Sequence, residues 1–208
     1  MASLGKTPCI HQPASLDGVN LGVFTEIGQH SYLEYVEMGD YSYCGPFCFF
    51  QNATIGKFAN IAAAVRLGPT AHPMDRPTQH HFTYRRKMYG FAEEDDHRFF
   101  AWRQEQRVYV GHDTWIGHGA IIMPNVTVGT GSVIGAGAVV TKDIPDYAVA
   151  VGVPAKVVKM RFPDDIGEAL MHIAWWDWPH ERIRDRLDDF SLPIEEFVAK
   201  YQKQEVAT

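Results

Sequence analysis

Hydrophobic residues between 110 and 140, VGHDTWIGHGAIIMPNVTVGTGSVIGAGAVV, return at every sixth position: Val110, Ile116, Ile122, Val128, Ile134 and Val140. Neither a helix, with its period of about 3.6, nor an alternating strand, with a period of about 2, gives this spacing. Glycine often follows the apolar residue (Gly111, Gly117, Gly129, Gly135), and Thr114, Ala120, Val126, Ser132 and Ala138 hold the same later offset. The pattern predicts short strands that each aim one aliphatic side chain at a common axis, joined by turns in which glycine takes positive φ. With three strands to a coil, Val110 stacks under Val128, Ile116 under Ile134 and Ile122 under Val140, at the roughly 4.8 Å of neighbouring strands. Such units bury a core only by stacking, so the predicted fold class is an all-β solenoid, a parallel β-helix.

The same period runs through the first third of the chain. Leu21, Ile27 and Leu33 are six apart, and after a slip near Met38 and Gly39 the phase is expected back at Phe49, Ile55, Ile61 and Leu67. Residues 69–107 lack the period and are far longer than an ordinary connection, which marks a functional excursion loop. At GVPAKVVKMRF, residues 152–162, the character changes, and Pro154 is read as the exit from the coil. Pro163, Asp164 and Asp165 suit the start of a helix with Ile166, Leu170, Ile173 and Ala174 on one face. Pro179 opens a second helix carrying Ile183 and Leu187, and Ile194, Phe197, Val198 and Tyr201 trace a third, with Trp175, Trp176 and Trp178 as packing residues. The expected division is a β-helix with its excursion over 1–162 and a C-terminal α-helical segment over 163–208.

Composition narrows the function classes. The chain has 208 residues, is 46% hydrophobic and carries a formal net charge of -6, which suits one repeat domain with an appendage. Mild acidity gives no footprint for nucleic acid, and no apolar run approaches membrane-spanning length. MASLGKTPCI lacks a charged-then-apolar signal region, and Cys9, Cys44 and Cys48 lack CxxC spacing. Reduced thiols in a cytoplasmic protein are the expectation, and no metal is assigned.

Five stretches carry a family resemblance: IGKFANIA at 55–62, AHPMD at 71–75, VGHDTWIGHGAIIMPNVTVG at 110–129, IGAGAVVTKDIPDYAVAVGVPAKVV at 134–158 and WWDWP at 175–179. The chain resembles the left-handed β-helix acyltransferases of the hexapeptide-repeat superfamily, specifically the xenobiotic acetyltransferases that modify chloramphenicol or streptogramins. The resemblance implies a homotrimer with active sites between neighbouring coils, acetyl-CoA as co-substrate, a small-molecule acceptor and a loop histidine as general base. The matching residue is His72. Independently of family, attack by a hydroxyl or amine on a thioester requires removal of a proton, and imidazole, with a pKa of about 6.5, is largely a free base at neutral pH. No acyl-enzyme is then required, so transfer to the O- or N-acceptor is direct. His80 and His81 in the same loop are rival bases, Asp75 and Met74 receive no catalytic role, and His112 and His118 are read as turn or groove residues.

For CoA, Gly135, Ala136, Gly137 and Ala138 give a surface of small residues along which a pantetheine arm can pair with backbone. Lys142, Lys156, Lys159 and Arg161 are the cations near the end of the coil that could meet its phosphates, with Lys156 favoured because it fills the basic place in the family-like GVPAK. Trp115 matches a family tryptophan expected at a corner or along the groove. The loop PMDRPTQHHFTYRRKMYGFAEEDDHRFFAWRQEQR departs from the antibiotic-modifying enzymes, and it is closer to a hexapeptide subgroup associated with phosphonate metabolism. Arg76, Arg85, Arg86 and Lys87 would suit an anionic acceptor unless the EEDD run at 93–96 pairs with them. Two other classes stay open: a γ-carbonic-anhydrase-like metalloenzyme, against which the six-residue spacing of His112 and His118 speaks, and a non-catalytic β-helix assembly module.

Overall fold

The computed structural model describes residues 4–205. Its strands form three parallel ladders that the chain visits in turn. The first joins Cys9–Ile10, Glu26–Ile27, Tyr43–Cys44, Asn60–Ile61, Trp115–Ile116, Val133–Ile134 and Ala148–Val151. The second joins Ser15–Asp17, the start of Tyr32–Met38, the start of Phe49–Ile55, Arg66–Leu67, Ile121–Ile122 and Val139–Val140. The third runs from Asn20–Leu21 through the ends of the two long strands to Val108–Val110 and Thr127–Val128. Val110 pairs in register with Val128, Ile116 with Ile134 and Ile122 with Val140, as the six-residue period requires.

The first block keeps a different count. Ile10, Ile27, Cys44 and Ile61 are register partners in succession, as are Leu16, Leu33, Phe50 and Leu67, so each of these passes takes one residue fewer than the pass that joins Val110 to Val128, Ile116 to Ile134 and Ile122 to Val140. The slip at Met38 is one of these short steps. It moves the inward position to Phe50, fully buried, and leaves Phe49 47% exposed, which corrects the phase read from sequence. The interior column contains Ile27, Leu33, Ile55, Ile61, Leu67, Ile116, Ile122, Val128, Ile134 and Val140, all nearly inaccessible. Burial of each such side chain contributes roughly 1.5–3 kcal/mol.

Glycine also serves differently from expectation. Gly111, Gly117, Gly129 and Gly135 are absent from the positive-φ positions, which fall two residues later at Asp113, Gly119, Gly131 and Gly137. Gly111, Gly117 and Gly129 matter because the next coil lies against them: a Cβ on Gly117 would sit 2.5 Å from the backbone nitrogen of Ala136. One turn column carries Phe24, Tyr41 and Phe58, stacked at 4.9 and 4.5 Å between ring centres.

Pro154 does not release the chain. Residues 152–155 turn it back into the strand Lys156–Met160, which pairs antiparallel with Ala148–Val151. Three α-helices follow, α2 (Asp164–Ile173), α3 (His180–Asp185) and α4 (Ile194–Glu205), near the predicted starts. The excursion contributes an unpredicted helix, α1 (His97–Glu105), started by the Asp96 carboxylate accepting from the Phe99 N–H. Ala169, Leu170, Ile173, Trp178, Phe197, Val198 and Tyr201 form a second core with Tyr147, while Trp176 stacks on His112 and Trp175 meets Phe58. No described helix is long and apolar enough to cross a membrane.

Candidate functional site

The excursion leaves after Leu67 and folds back over the turn between the second and third ladders. Asn52, held at φ 50° in that turn, donates from Nδ2 to the Arg103 carbonyl, and Arg107 donates to Thr54 Oγ1 and the Ala53 carbonyl. Inside the loop, Tyr84 is 2% exposed and stacks on Phe99 at 4.4 Å, with the Arg103 guanidinium 4.9 Å from both rings. Arg103 also donates to the carbonyl of Ala71, the residue before His72.

His72 is exposed on this support. Its Nδ1 lies 2.8 Å from the Gln79 carbonyl and 3.4 Å from the Tyr84 hydroxyl. A carbonyl oxygen can only accept, so Nδ1 carries the proton and the Nε2 lone pair is left to act as a base. The rivals are engaged otherwise. His80 Nδ1 accepts from the Phe82 N–H, and His81 Nε2 bonds the Tyr89 hydroxyl. The cleft beside His72 measures about 570 Å³ and is lined by Met74, Asp75, Arg98, Phe99 and Trp102 among others.

The charge of this loop is largely internal. Asp96 takes Arg76 at 2.9 Å and Arg86 at 3.0 Å. Burial pushes its carboxyl up, but the Phe99 N–H and the two guanidiniums outweigh that and hold it below the usual carboxylate value. Arg85 lies 5.6 Å from the Phe100 ring centre. One residue of the EEDD run, Asp96, therefore pairs with two of the four cations that would have favoured an anionic acceptor, Arg76 and Arg86.

The residues expected at CoA occupy another part of the coil. Gly135–Ala138 form the turn from the first ladder to the second, with Ala136 and Gly137 exposed, Gly137 at φ 68° and open space where its Cβ would be. The next pass lies against this turn: Val139 N–H donates to the Gly152 carbonyl and Ala155 N–H to the Val139 carbonyl, which puts the exposed Lys156 alongside. Trp115, 58% exposed, pairs with Val133 on the first ladder, two residues before Gly135. Lys142 stands apart, after the second ladder, and Arg161 is committed to Asp113 at 3.3 Å. None of Gly135–Ala138, Lys156 or Trp115 lines the His72 cleft.

His112 and His118 lie in successive turns and belong to no cluster of three donor side chains among the described residues. His112 is half-buried; its Nδ1 accepts from the Lys57 N–H at 3.0 Å, and burial lowers its pKa. Sequence reasoning missed Gln79, Tyr84, Phe99 and Arg103. Their roles rest on loop contacts with no periodic or local signature.

Residues 107–142 match the model of the bacterial transferase hexapeptide (six repeats). A chloramphenicol acetyltransferase from Klebsiella aerogenes is 31% identical over 168 residues, 76% of this chain and 78% of the relative. One from Escherichia coli is 36% identical over 136 residues, 64% of this chain and 63% of the relative, so the chain spans a little under two thirds of that protein's length. Among solved structures, AntD, an N-acyltransferase from Bacillus cereus in complex with dTDP and 3-hydroxybutyryl-CoA, superposes with a TM-score of 0.60 at 20% identity, covering 84% of this chain and 91% of AntD. The recurring hexads, the in-register ladders they build and the extent of these matches converge: the chain belongs to the hexapeptide-repeat acetyltransferase family, alongside the chloramphenicol acetyltransferases.

Proposed function

We propose that the protein is an acetyl-CoA-dependent O- or N-acetyltransferase for a small-molecule acceptor, built on a left-handed β-helix and working as a homotrimer. The observation that carries this reading is His72: a solvent-facing imidazole in a cleft, with Nδ1 held by Gln79 and Nε2 free. In this mechanism Nε2 takes the proton from the acceptor hydroxyl or amine as that atom attacks the thioester carbonyl. The tetrahedral species then collapses, and the sulfur of CoA leaves and takes up a proton. A positioned base of this kind contributes roughly 10²- to 10⁴-fold, the rest coming from orientation and oxyanion stabilisation.

The exposed Ala136 and Gly137 of the Gly135–Ala138 turn are the proposed path of the pantetheine arm, with half-buried Gly135 beside them, whereas Ala138 points into the coil and is fully buried; Trp115 flanks the path, and Lys156 meets a phosphate. Lys142, on a different turn, is the weaker candidate for that contact. Because the His72 cleft and the Gly135–Ala138 turn follow different ladders of one chain, a neighbouring copy is proposed to bring its turn to this cleft, which is the physical reason for a trimer. The two-part organisation, 1–162 with the excursion and 163–208, then assigns chemistry to the first part and its cover to the second. The acceptor side offers Met74, Phe99 and Trp102 beside two guanidiniums, Arg76 and Arg98, balanced by two carboxylates, Asp75 and Asp96, which supports an uncharged or amphipathic acceptor over a phosphonate or sugar phosphate. Incubation with acetyl-CoA and a panel of chloramphenicol, a macrolide, a galactoside and an aminoalkylphosphonate, with product masses recorded, tests this. Acetylation of an uncharged member is expected; acetylation of the phosphonate alone would reverse the acceptor assignment, and no acetylated product together with no acetyl-CoA binding would overturn the transferase.

A further inference from the structure

We propose that Cys9, His11 and Glu26 form a binding site for a zinc-class divalent cation at the N-terminal end of the coil. Cys9 and His11 stand two apart on one extended segment and so face the same side. Glu26 is the register partner of Cys9 on the next strand. The segment is fixed from both flanks, since Cys9 N–H donates to the Thr25 carbonyl and His11 N–H to the Ile27 carbonyl, each at 2.9 Å. One sulfur, one imidazole nitrogen and one carboxylate oxygen thereby fall within 4.8 Å of one another.

The distances suit a tetrahedral ion. Metal–sulfur and metal–nitrogen bonds of about 2.3 and 2.0 Å at a tetrahedral angle separate the two donors by roughly 3.5 Å, and Cys9 Sγ lies 3.7 Å from His11 Nε2. His11 Nε2 and Glu26 Oε1 are 2.7 Å apart and share a proton. An ion replaces that proton, takes the thiolate after loss of the Cys9 proton to solvent, and opens the pair by about 0.6 Å, to the separation that two bonds of about 2.0 Å at a tetrahedral angle set. A thiolate, imidazole and carboxylate set selects a borderline cation over magnesium or calcium, which prefer all-oxygen shells. Water completes the fourth position.

The placement suggests what the ion does. Cys9–Ile10 is a two-residue strand at the end of its ladder, and among the described residues only the Glu26–Ile27 strand pairs with it. Such an edge frays and templates unwanted pairing. An ion bridging it to Glu26 pins the first pass of the coil to the second.

Cobalt(II) titration of the tag-free full-length protein tests the proposal directly, because thiolate ligation produces charge-transfer absorption that nitrogen and oxygen ligands do not. The expected result is that absorption together with tetrahedral ligand-field bands, saturating at one ion per chain and displaced by zinc. Cys9→Ala should abolish the sulfur band. His11→Gln and Glu26→Gln should each weaken zinc by at least the roughly 10- to 100-fold seen when even an outer partner of a metal ligand is lost. Circular dichroism of each metal-free variant shows whether it is folded. Cobalt binding without the sulfur band, or zinc affinity unchanged in folded Cys9→Ala, would overturn the site.

Discussion

The Nδ1–H of His72 meets the carbonyl oxygen of Gln79 across 2.8 Å, and this bond decides which nitrogen of the ring can accept a proton. Gln79 acts through its backbone, so replacing its side chain leaves the bond in place. What can be disturbed is the path of the loop that brings residues 72 and 79 together.

Asp96 is the side chain on which that path most visibly converges, through Arg76, Arg86 and the start of α1. Asp96→Asn is expected to raise proteolytic cleavage within 69–107 and to lower turnover, with the coil intact by circular dichroism. The carboxyl is held below its ordinary value, so its stabilisation is full above that value and disappears as pH falls through the depressed one. Wild type should lose the loop's protection in that acid range, and Asp96→Asn should lack it at neutral pH.

Neighbouring glycines of one turn should behave differently. A Cβ at Gly117 meets backbone at 2.5 Å, whereas Gly119, at φ 66°, has open space. Gly117→Ala must push two passes apart and is expected to cost at least the ~1–3 kcal/mol of an overpacked core. Gly119→Ala meets only the left-handed backbone penalty of roughly 1–2 kcal/mol. Urea unfolding of the two variants checks the order.

Lys156→Ala is expected to weaken acetyl-CoA binding with little change in kcat, by about fivefold for one solvent-exposed charged contact of ~1 kcal/mol. Calorimetric titration separates this from chemistry. Equal affinity would remove Lys156 from the CoA site. Lys142→Ala, on its separate turn, should change affinity less.

His112 gives the fold a pH dependence of its own. Burial lowers its pKa, so the unfolded chain binds the proton more readily than the folded one. Its contribution is complete above the ordinary histidine value and is lost as pH falls through the lower folded value. His112→Gln, which retains a hydrogen-bonding side chain beside the Lys57 N–H, should flatten the decline of thermal stability below about pH 6.5 relative to wild type.

If neighbouring copies share the site, mixing should reveal it. His72→Ala and Gly137→Trp chains, each inactive alone, are expected to recover activity when refolded together, because some interfaces then pair an intact cleft with an intact turn. Recovery of none would place both elements in a single chain's site.

Much of the fold is legible in the sequence because it obeys one local rule. A residue such as Ile116 needs only its own offset to be assigned inward, and Ile134 confirms the register. The rule loses phase at Met38, where a shorter step shifts burial from Phe49 to Phe50, since both residues are phenylalanine and hydropathy cannot choose between them. It also misses the reason for Gly117, which is contact with a residue in the next pass. The candidate site is less legible. His72 is found through its AHPMD context, but Arg103, Tyr84 and Gln79 reach it only through tertiary contacts of an aperiodic loop, and Glu26 reaches Cys9 only through the coil register.

The central claim is that acetyl transfer from CoA depends on His72. Release of the CoA thiol should be followed with wild type and His72→Ala side by side across the acceptor panel, with acetyl-CoA affinity measured for both. The account predicts acceptor-dependent release by wild type, a loss of roughly 10²- to 10⁴-fold in the variant and similar CoA affinity. Equal turnover by folded His72→Ala would contradict it.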